Sequence, residues 1–184
     1  AVIAALKMNQ FGPIIAADFS PRRRELAEVM GADLVVDPAE NSPYESWMQV
    51  ASTDVDEGVS PQSLIAAPAL RPGLFFECVG IPGVIDQLMA GAPQAGRIVV
   101  LGVCMEEDHF QPMSGITKEL NLQFVLGYTP EEFAQTLHNI AEGKVDAAPL
   151  ISGKVGLDGV PAAFADLADP DKHAKIIVDP AISP

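Results

Sequence analysis

An acidic residue at the end of a short apolar run has the clearest chemical meaning in this sequence. Asp18 closes the run that begins at Ile14, and Ser20-Pro21 follows with the N-cap and first-turn residues of a helix that Gly31 ends. This order predicts a strand, an acid, a helix and a turn. At the carboxyl end of a parallel strand, a carboxylate can accept hydrogen bonds from ribose hydroxyls. Asp18 is therefore the first candidate for binding a nucleotide.

The acid alone is half of a nucleotide site, because a glycine-rich phosphate-binding loop normally precedes it by about 20 residues. That loop would fall before Ala1, so we expect the chain to begin inside the helix that follows it. The strand before the loop would lie between the strands that end at Asp18 and Cys78. We expect the sheet to be interrupted there, or another segment to fill the gap.

Apolar runs alternate with amphipathic helices, and most runs are continuous, which is typical of strands buried on both faces of a parallel sheet. The predicted strands are Ile14–Asp18, Leu34–Val36, Leu74–Cys78, Ile98–Gly102, Leu120–Leu126 and Lys175–Asp179. The predicted helices are 21–30, 45–51, 133–141 and 157–167. Four Ser-Pro or Thr-Pro pairs, which are typical of helix N-termini, begin at Ser20, Ser42, Ser60 and Thr129. Residues 52–60 are predicted to form a surface loop. The pattern indicates an α/β fold, a Rossmann-like parallel sheet with helices on both faces.

Composition excludes several classes of function. The 184 residues are 48% hydrophobic, enough for one sizeable core, and the net charge of -14 argues against binding nucleic acid. No apolar run is long enough to span a membrane. Cys78 and Cys104 lie among apolar residues, so we interpret them as reduced, buried side chains of a cytoplasmic protein rather than as metal ligands. We assign no chemistry to the three histidines or to the acidic residues 106–108.

An ordered set of segments resembles the medium-chain dehydrogenase/reductase family, and most closely its zinc-dependent alcohol dehydrogenase branch. The resemblance covers nearly the whole chain, with a longer loop from Asn41 to Pro72. The segments that carry it are Ala1–Lys7, the Asp18 segment, Phe76-Glu77-Cys78-Val79-Gly80, Gly96–Val103, Lys118-Glu119-Leu120 and Lys175-Ile176-Ile177-Val178.

The resemblance implies a set of contacts with NAD. It places Asp18 at the adenosine ribose, which favours NAD over NADP, and Arg23 beside the same ribose. Arg23 has an equally weighted alternative as a solvated helix residue that pairs with Glu25 or Glu28. The further implied cofactor residues are Val79 and Gly80, Gly102 and Val103 at the nicotinamide end, and Lys175 at the pyrophosphate. Strand-end glycines and a surface lysine also occur without any such role.

The family's catalytic zinc ligands and most of its substrate pocket would lie before Ala1. We therefore interpret the chain as a C-terminal fragment, with an incomplete cofactor domain over residues 1–152 and a segment returning towards the substrate domain over 153–184. The parent enzyme would oxidise an alcohol or reduce an aldehyde. It is expected to bind zinc, but the zinc ligands are not in this chain. The fragment itself should be inactive and bind NAD weakly, and the family resemblance implies a homodimer or homotetramer.

Three other functions remain open from the sequence. A zinc-free quinone or enoyl reductase shares this half of the fold, and zinc ligands upstream would separate the two. A methyltransferase also holds a ribose with an acid after its second strand, but would leave Gly96–Val103 and Lys175 unexplained. A non-catalytic nucleotide-binding module is the third, and the lack of an initiator Met at position 1 argues against it.

Overall fold

The computed structural model describes residues 1–51 and 73–182. In these ranges the strands are β1 (Ile15–Ala17), β2 (Leu34–Val36), β3 (Leu74–Glu77), β4 (Arg97–Val100), β5 (Asn121–Phe124), β6 (Gly153–Val155) and β7 (Ile176–Val178). The helices are α1 (Val2–Met8), α2 (Pro21–Val29), α3 (Pro43–Ala51), α4 (Val84–Gly91), α5 (Pro112–Lys118), α6 (Pro130–Ala141) and α7 (Val160–Leu167). None of these described helices has the length and apolar character needed to cross a lipid bilayer.

Every strand pair found among the described residues is parallel. β1 pairs with β2, β3 to β5 form a three-stranded sheet with β4 in the centre, and β6 pairs with β7. Parallel neighbours need a crossover connection, and α2, α4 and α5 connect β1 to β2, β3 to β4 and β4 to β5. The α/β class is thus confirmed. β1 and β3 lie in separate sheets, where the sequence predicts an interruption.

Three of the four Ser-Pro and Thr-Pro pairs begin helices as predicted. The hydroxyls of Ser20 and Thr129 accept the N–H of the third helical residue at 3.1 and 3.2 Å, and Thr129 belongs to a complete capping box. The hydroxyl of Ser42 accepts the equivalent N–H in α3 at 3.3 Å. Ser60-Pro61 and the surface loop predicted for residues 52–60 lie outside the described residues.

The sequence prediction misses two helices and one strand. α4 begins after Gly83, whose φ is 86°, and α5 contains a glycine and a threonine, which are weak helix formers. β6 has only three residues, and its pairing with β7 rather than its composition defines it as a strand. Most strands in the structure end one or two residues before the predicted end, because the chain turns away before the apolar run is finished.

The chain divides into two compact units, one of residues 1–46 with 129–184 and one of residues 47–128. In the second unit α4 packs against the sheet, and Ile98 at the centre of β4 is 0% exposed. The core of this unit consists of Ile85, Met89, Ala92, Ile98 and Val100. The domain boundary proposed near residue 152 stays a prediction.

The strands are less buried than their apolar runs predict, which corrects the expectation of burial on both faces. In β4 both Ile98 and Val100 are buried, whereas in β5 Phe124 is 59% exposed. The difference follows from position, since β4 has a neighbour on each side and β5 forms the edge of this described three-stranded sheet.

Candidate functional site

Asp18 stands directly after β1, at the carboxyl end of the β1–β2 pair. Its Oδ1 accepts the N–H of Ser20 at 2.9 Å, while Ser20 itself caps α2. About a third of the Asp18 side chain, 34%, is exposed. A carboxylate has about four acceptor positions, so this one bond leaves Asp18 able to accept more from a polar ligand.

Arg23 faces the Asp18 carboxylate rather than the acids of its own helix. Its Nη1 lies 3.9 Å from Asp18 Oδ2, and the neighbouring Arg22 is the residue that pairs with Glu25, at 3.4 Å. Both arginine side chains are at least half exposed, so each ion pair contributes little to stability. The structure thus brings two of the residues predicted for the ribose site together.

Arg24 is a contact residue that the sequence reasoning missed. Its Nη1 donates to the carbonyl oxygens of Asp18 and Phe19, both at 2.8 Å, and its Nη2 lies 2.9 Å from the carboxylate of Asp37. Asp37 directly follows β2, so Arg24 ties together the carboxyl ends of both strands. The available signal was a basic residue in the first turn of α2 with an acid after each adjoining strand.

A second unpredicted contact holds the same turn from the C-terminal part of the chain. Ser20 is 5% exposed, and its hydroxyl donates to Asp171 Oδ1 at 2.5 Å while accepting the N–H of Arg23. A hydroxyl can do both at once. Asp171 lies 151 residues from Ser20, and no local pattern could have indicated this pairing.

In the second unit, Glu77 joins the ends of two strands. It is the last residue of β3 and is 3% exposed. Its Oε1 accepts the N–H groups of Val79 and Gly80 at 2.6 and 2.8 Å. Its carbonyl oxygen accepts the N–H groups of Leu101 and Gly102, which follow β4, at 2.8 and 3.0 Å. An acid inside an otherwise apolar run was the signal for this role, and the sequence reasoning did not use it.

The predicted cofactor residues after β3 and β4 are in direct contact. Gly80 has a φ of 73°, and a Cβ added there would lie 2.6 Å from the backbone nitrogen of Val103. A Cβ on Gly102 would overlap the Glu77 carboxylate and the Gly80 nitrogen. Only glycine fits at either position. In the segments 77–80 and 101–103, here called the double turn, two valine side chains are exposed, Val79 and Val103.

The interpretation of both cysteines as buried apolar side chains is wrong. Cys78 is exposed and Cys104 is half-buried, and both thiols are free. Each lies beyond the last residue of its strand, where apolar neighbours in sequence no longer imply burial. Partial desolvation raises the pKa of the Cys78 thiol, and the adjacent Glu77 carboxylate raises it further.

The loop after β4 is anchored to the start of α4 by two carboxylates. Asp108 Oδ1 accepts the N–H of Gly83 at 2.7 Å, and Asp86 Oδ1 accepts the N–H of Gln111 at 2.9 Å. Asp108 Oδ2 is buried without a hydrogen-bond partner. Asp108 therefore has a structural role, whereas the sequence assigns it none.

Lys175 is exposed directly before β7, and its backbone bonds to the Ser152 side chain rather than to the Asp18 turn. His173 Nδ1 also lies 3.1 Å from the Ser152 hydroxyl. His109 is exposed beside Glu107, at 3.7 Å.

Within residues 1–51 and 73–182, no group of three or more His, Cys, Asp or Glu side chains could hold a metal ion.

Comparison with known proteins gives one consistent result. A family model described as zinc-binding dehydrogenase matches residues 1–142. The chain is 28% identical over 184 residues to (R,R)-butanediol dehydrogenase of Bacillus subtilis, covering 97% of this chain and 47% of that protein. It is 25% identical over 175 residues to L-idonate 5-dehydrogenase (NAD(P)(+)) of Escherichia coli K12, covering 95% of this chain and 45% of the relative.

The solved structures of both enzymes share the fold. The Bacillus subtilis 2R,3R-butanediol dehydrogenase superposes with a TM-score of 0.75 at 26% identity, covering 97% of this chain and 47% of that one. The Escherichia coli L-idonate 5-dehydrogenase gives a TM-score of 0.76 at 23% identity, covering 96% and 45%. The chain spans about half the length of the curated relatives it matches.

Proposed function

The chain belongs to the zinc-binding dehydrogenase family, and on that premise we propose that it forms the cofactor-binding part of an NAD-dependent alcohol dehydrogenase. Such an enzyme transfers a hydride between an alcohol or aldehyde and the nicotinamide of NAD. The observation that best supports the proposal is Asp18, which follows a parallel strand directly and keeps a third of its side chain exposed.

Asp18 supports NAD rather than NADP as the preferred cofactor. A carboxylate accepts hydrogen bonds from two vicinal hydroxyls and repels a phosphate on the 2′ oxygen. Arg23 is 3.9 Å from this carboxylate and would offset part of the repulsion. The name of the Escherichia coli relative includes both cofactors. We therefore expect this chain to prefer NAD without excluding NADP.

The double turn supports binding of the nicotinamide end. Gly80 and Gly102 have no room for a Cβ because the two turns contact each other there, so the ends of β3 and β4 are held close together. Val79 and Val103 are 62% and 67% exposed and offer apolar contact to a planar ring. Lys175 is exposed and is proposed to contact the pyrophosphate. When bound, NAD supplies the hydride acceptor, and these residues bind and orient it.

Zinc does not fit the described part of the chain, because no cluster of suitable ligands occurs there. The proposal therefore assigns none of the chemistry at the substrate oxygen to residues of this chain. We expect no alcohol oxidation by the 184 residues alone when NAD and zinc are added. Measurable NADH formation by that polypeptide would contradict this part of the proposal.

We also propose that the protein forms a homodimer or homotetramer. Support comes from apolar side chains exposed on and after β5, where Phe124 is 59% and Leu126 is 94% exposed. Light scattering on the full-length protein is the measurement. A monomer at micromolar concentration would contradict the proposal.

Titration of the full-length protein with NADH and NADPH tests the cofactor assignment. Replacing Asp18→Asn removes the charge that attracts hydroxyls and repels phosphate, so NADH affinity should fall about tenfold and the preference for NADH over NADPH should narrow. Asp33→Asn is the matched control, because Asp33 precedes β2 and lies at the amino end of its strand. An unchanged NADH to NADPH ratio in the Asp18 variant would refute the assignment.

A further inference from the structure

Glu77 is the most deeply buried acid among the described residues, and its carboxylate bonds to the turn after β3. Four backbone N–H groups converge on this one residue, two on the carboxylate and two on the carbonyl oxygen. Burial of a carboxylate is costly unless hydrogen bonds satisfy it. A leucine would pack beside the surrounding apolar residues with less loss of hydration, so apolar packing alone does not explain an acid here.

The hydrogen bonds of Glu77 fix the direction of the peptide groups in the turn after β3. In a trans peptide unit the N–H and C=O point to opposite sides. Because the N–H groups of Val79 and Gly80 point at the buried carboxylate, the carbonyl groups of Cys78 and Val79 point away from it. Glu77 thereby holds these two carbonyl oxygens on the side opposite its carboxylate.

The turn after β3 is in direct contact with the turn after β4, so Glu77 also influences the second turn. The N–H groups of Leu101 and Gly102 bond to the Glu77 carbonyl, and a Cβ on Gly80 would meet three backbone atoms of Val103 within 2.9 Å. Interiors packed this closely transmit a displacement to their neighbours. A shift of the Glu77 side chain should therefore move both halves of the double turn.

We propose that Glu77 is a positioning residue for dinucleotide binding. It holds the double turn so that outward-facing carbonyl groups accept hydrogen bonds from hydroxyl and amide groups of the nicotinamide riboside. This inference rests on the proposed function of the same site. Glu77 acts through the backbone and need not touch the cofactor.

Two conservative variants separate the effect of the length of the Glu77 side chain from the effect of its charge. Glu77→Asp keeps the charge but is one methylene shorter, so it cannot hold both N–H groups at their present distances. Glu77→Gln keeps the length and an acceptor oxygen but loses the charge. Because the proposal depends on where the side-chain oxygen lies more than on its charge, NADH affinity of the full-length protein should fall about tenfold in Glu77→Asp and about threefold in Glu77→Gln. Asp33→Asn, which alters a carboxylate bonded to the backbone N–H of Ile14 and to Lys7, should bind NADH like the wild type.

Hydrogen exchange of the ligand-free protein supplies a readout that needs no cofactor. In Glu77→Asp the amides of Val79, Gly80 and Gly102 should exchange about tenfold faster than in the wild type. Unchanged exchange at all three amides would overturn the inference. Acceleration at Val79 and Gly80 alone would overturn the coupling between the two turns.

The binding data separate failure of this inference from failure of the proposed function. If the wild-type protein binds NADH and both Glu77 variants bind it within twofold, Glu77 is not a positioning residue and the cofactor site stands. If the wild-type protein binds neither NADH nor NADPH, the proposed function is overturned.

Discussion

Single side chains with two partners hold the Asp18 turn in place. Ser20 accepts the N–H of Arg23 and donates to Asp171, and Arg24 bonds to the backbone after β1 and to the acid after β2. These are the contacts that keep the Asp18 carboxylate at a defined place while a third of it stays exposed. Preorganisation of this kind lowers the cost of ordering a site when the ligand arrives.

Ser20→Ala should destabilise the protein more than Thr129→Ala. Both changes remove an N-cap, which costs about 1 kcal/mol. Ser20 is also buried and donates to the exposed carboxylate of Asp171, so its loss removes a second hydrogen bond and should cost about 2 kcal/mol in total. Urea unfolding of the two variants measures the difference, and equal free energies of unfolding would show that the Ser20–Asp171 bond contributes nothing.

Connections between elements depend on carboxylates that accept backbone N–H groups. Asp33 bonds to the N–H of Ile14 and to Lys7 of α1, and Asp179 bonds to the N–H of Ala181 and lies 2.6 Å from Lys154 of β6. In each case the hydrogen bond from the lysine is the largest cause that holds the carboxyl pKa below its ordinary value of 3.8, and the backbone N–H is the second.

Acid should weaken the contact of Asp33 with α1. A lowered pKa in the folded state means that the ionised group contributes stability above pH 3.8, and that this contribution is lost as the pH falls through the lowered pKa. Asp33→Asn should therefore be less stable than the wild type near neutral pH, and the two should converge in acid. Unfolding at a series of pH values tests this, and a constant difference across the series would contradict it.

Loss of the Asp108 carboxylate and loss of the Asp86 carboxylate should loosen the loop after β4 to a similar extent. Asp108→Ala and Asp86→Ala each remove one of the two bonds that anchor the loop to the start of α4. Each change should cost about 1 kcal/mol and raise hydrogen exchange at Gly83 or Gln111 respectively. The same exchange at the other site serves as the internal control. Wild-type exchange in both variants would show that the anchor is unimportant.

At the scale of the whole molecule, the buried apolar cluster described for the second unit lies where β4 and α4 meet. Ile98 is fully enclosed, whereas apolar residues of the edge strand β5 remain exposed. Cavity formation makes truncation of an enclosed side chain costly, and the same truncation at an exposed site removes few contacts.

Ile98→Ala should lower the free energy of unfolding by about 2 to 5 kcal/mol, and Phe124→Ala by less than about 1 kcal/mol in the monomer. Thermal or urea unfolding measures both. A Phe124 variant as unstable as the Ile98 variant would mean that β5 is covered in solution, by a second copy or another segment.

Local chemistry explains why the sequence determined as much as it did. The caps at Ser20, Ser42 and Thr129, the alternation of apolar runs with helices, and Asp18 at a strand end all depend on residues close together in the chain. They were sufficient for the α/β class with parallel strands, and the ordered segments were sufficient for the family. The positions of the site residues could be stated only as the ends of strands.

The tertiary structure decided which of those strand ends meet and what holds them. The contact between Gly80 and Val103, the bonds from the N–H groups of Leu101 and Gly102 to Glu77, and the bond from Ser20 to Asp171 join residues that are far apart in the chain or separated by a whole crossover. The burial of β4 and the exposure of Cys78 followed from the same packing. The physical reason is that backbone N–H and C=O groups at strand ends have no partner within their own element, so long-range contacts determine their direction.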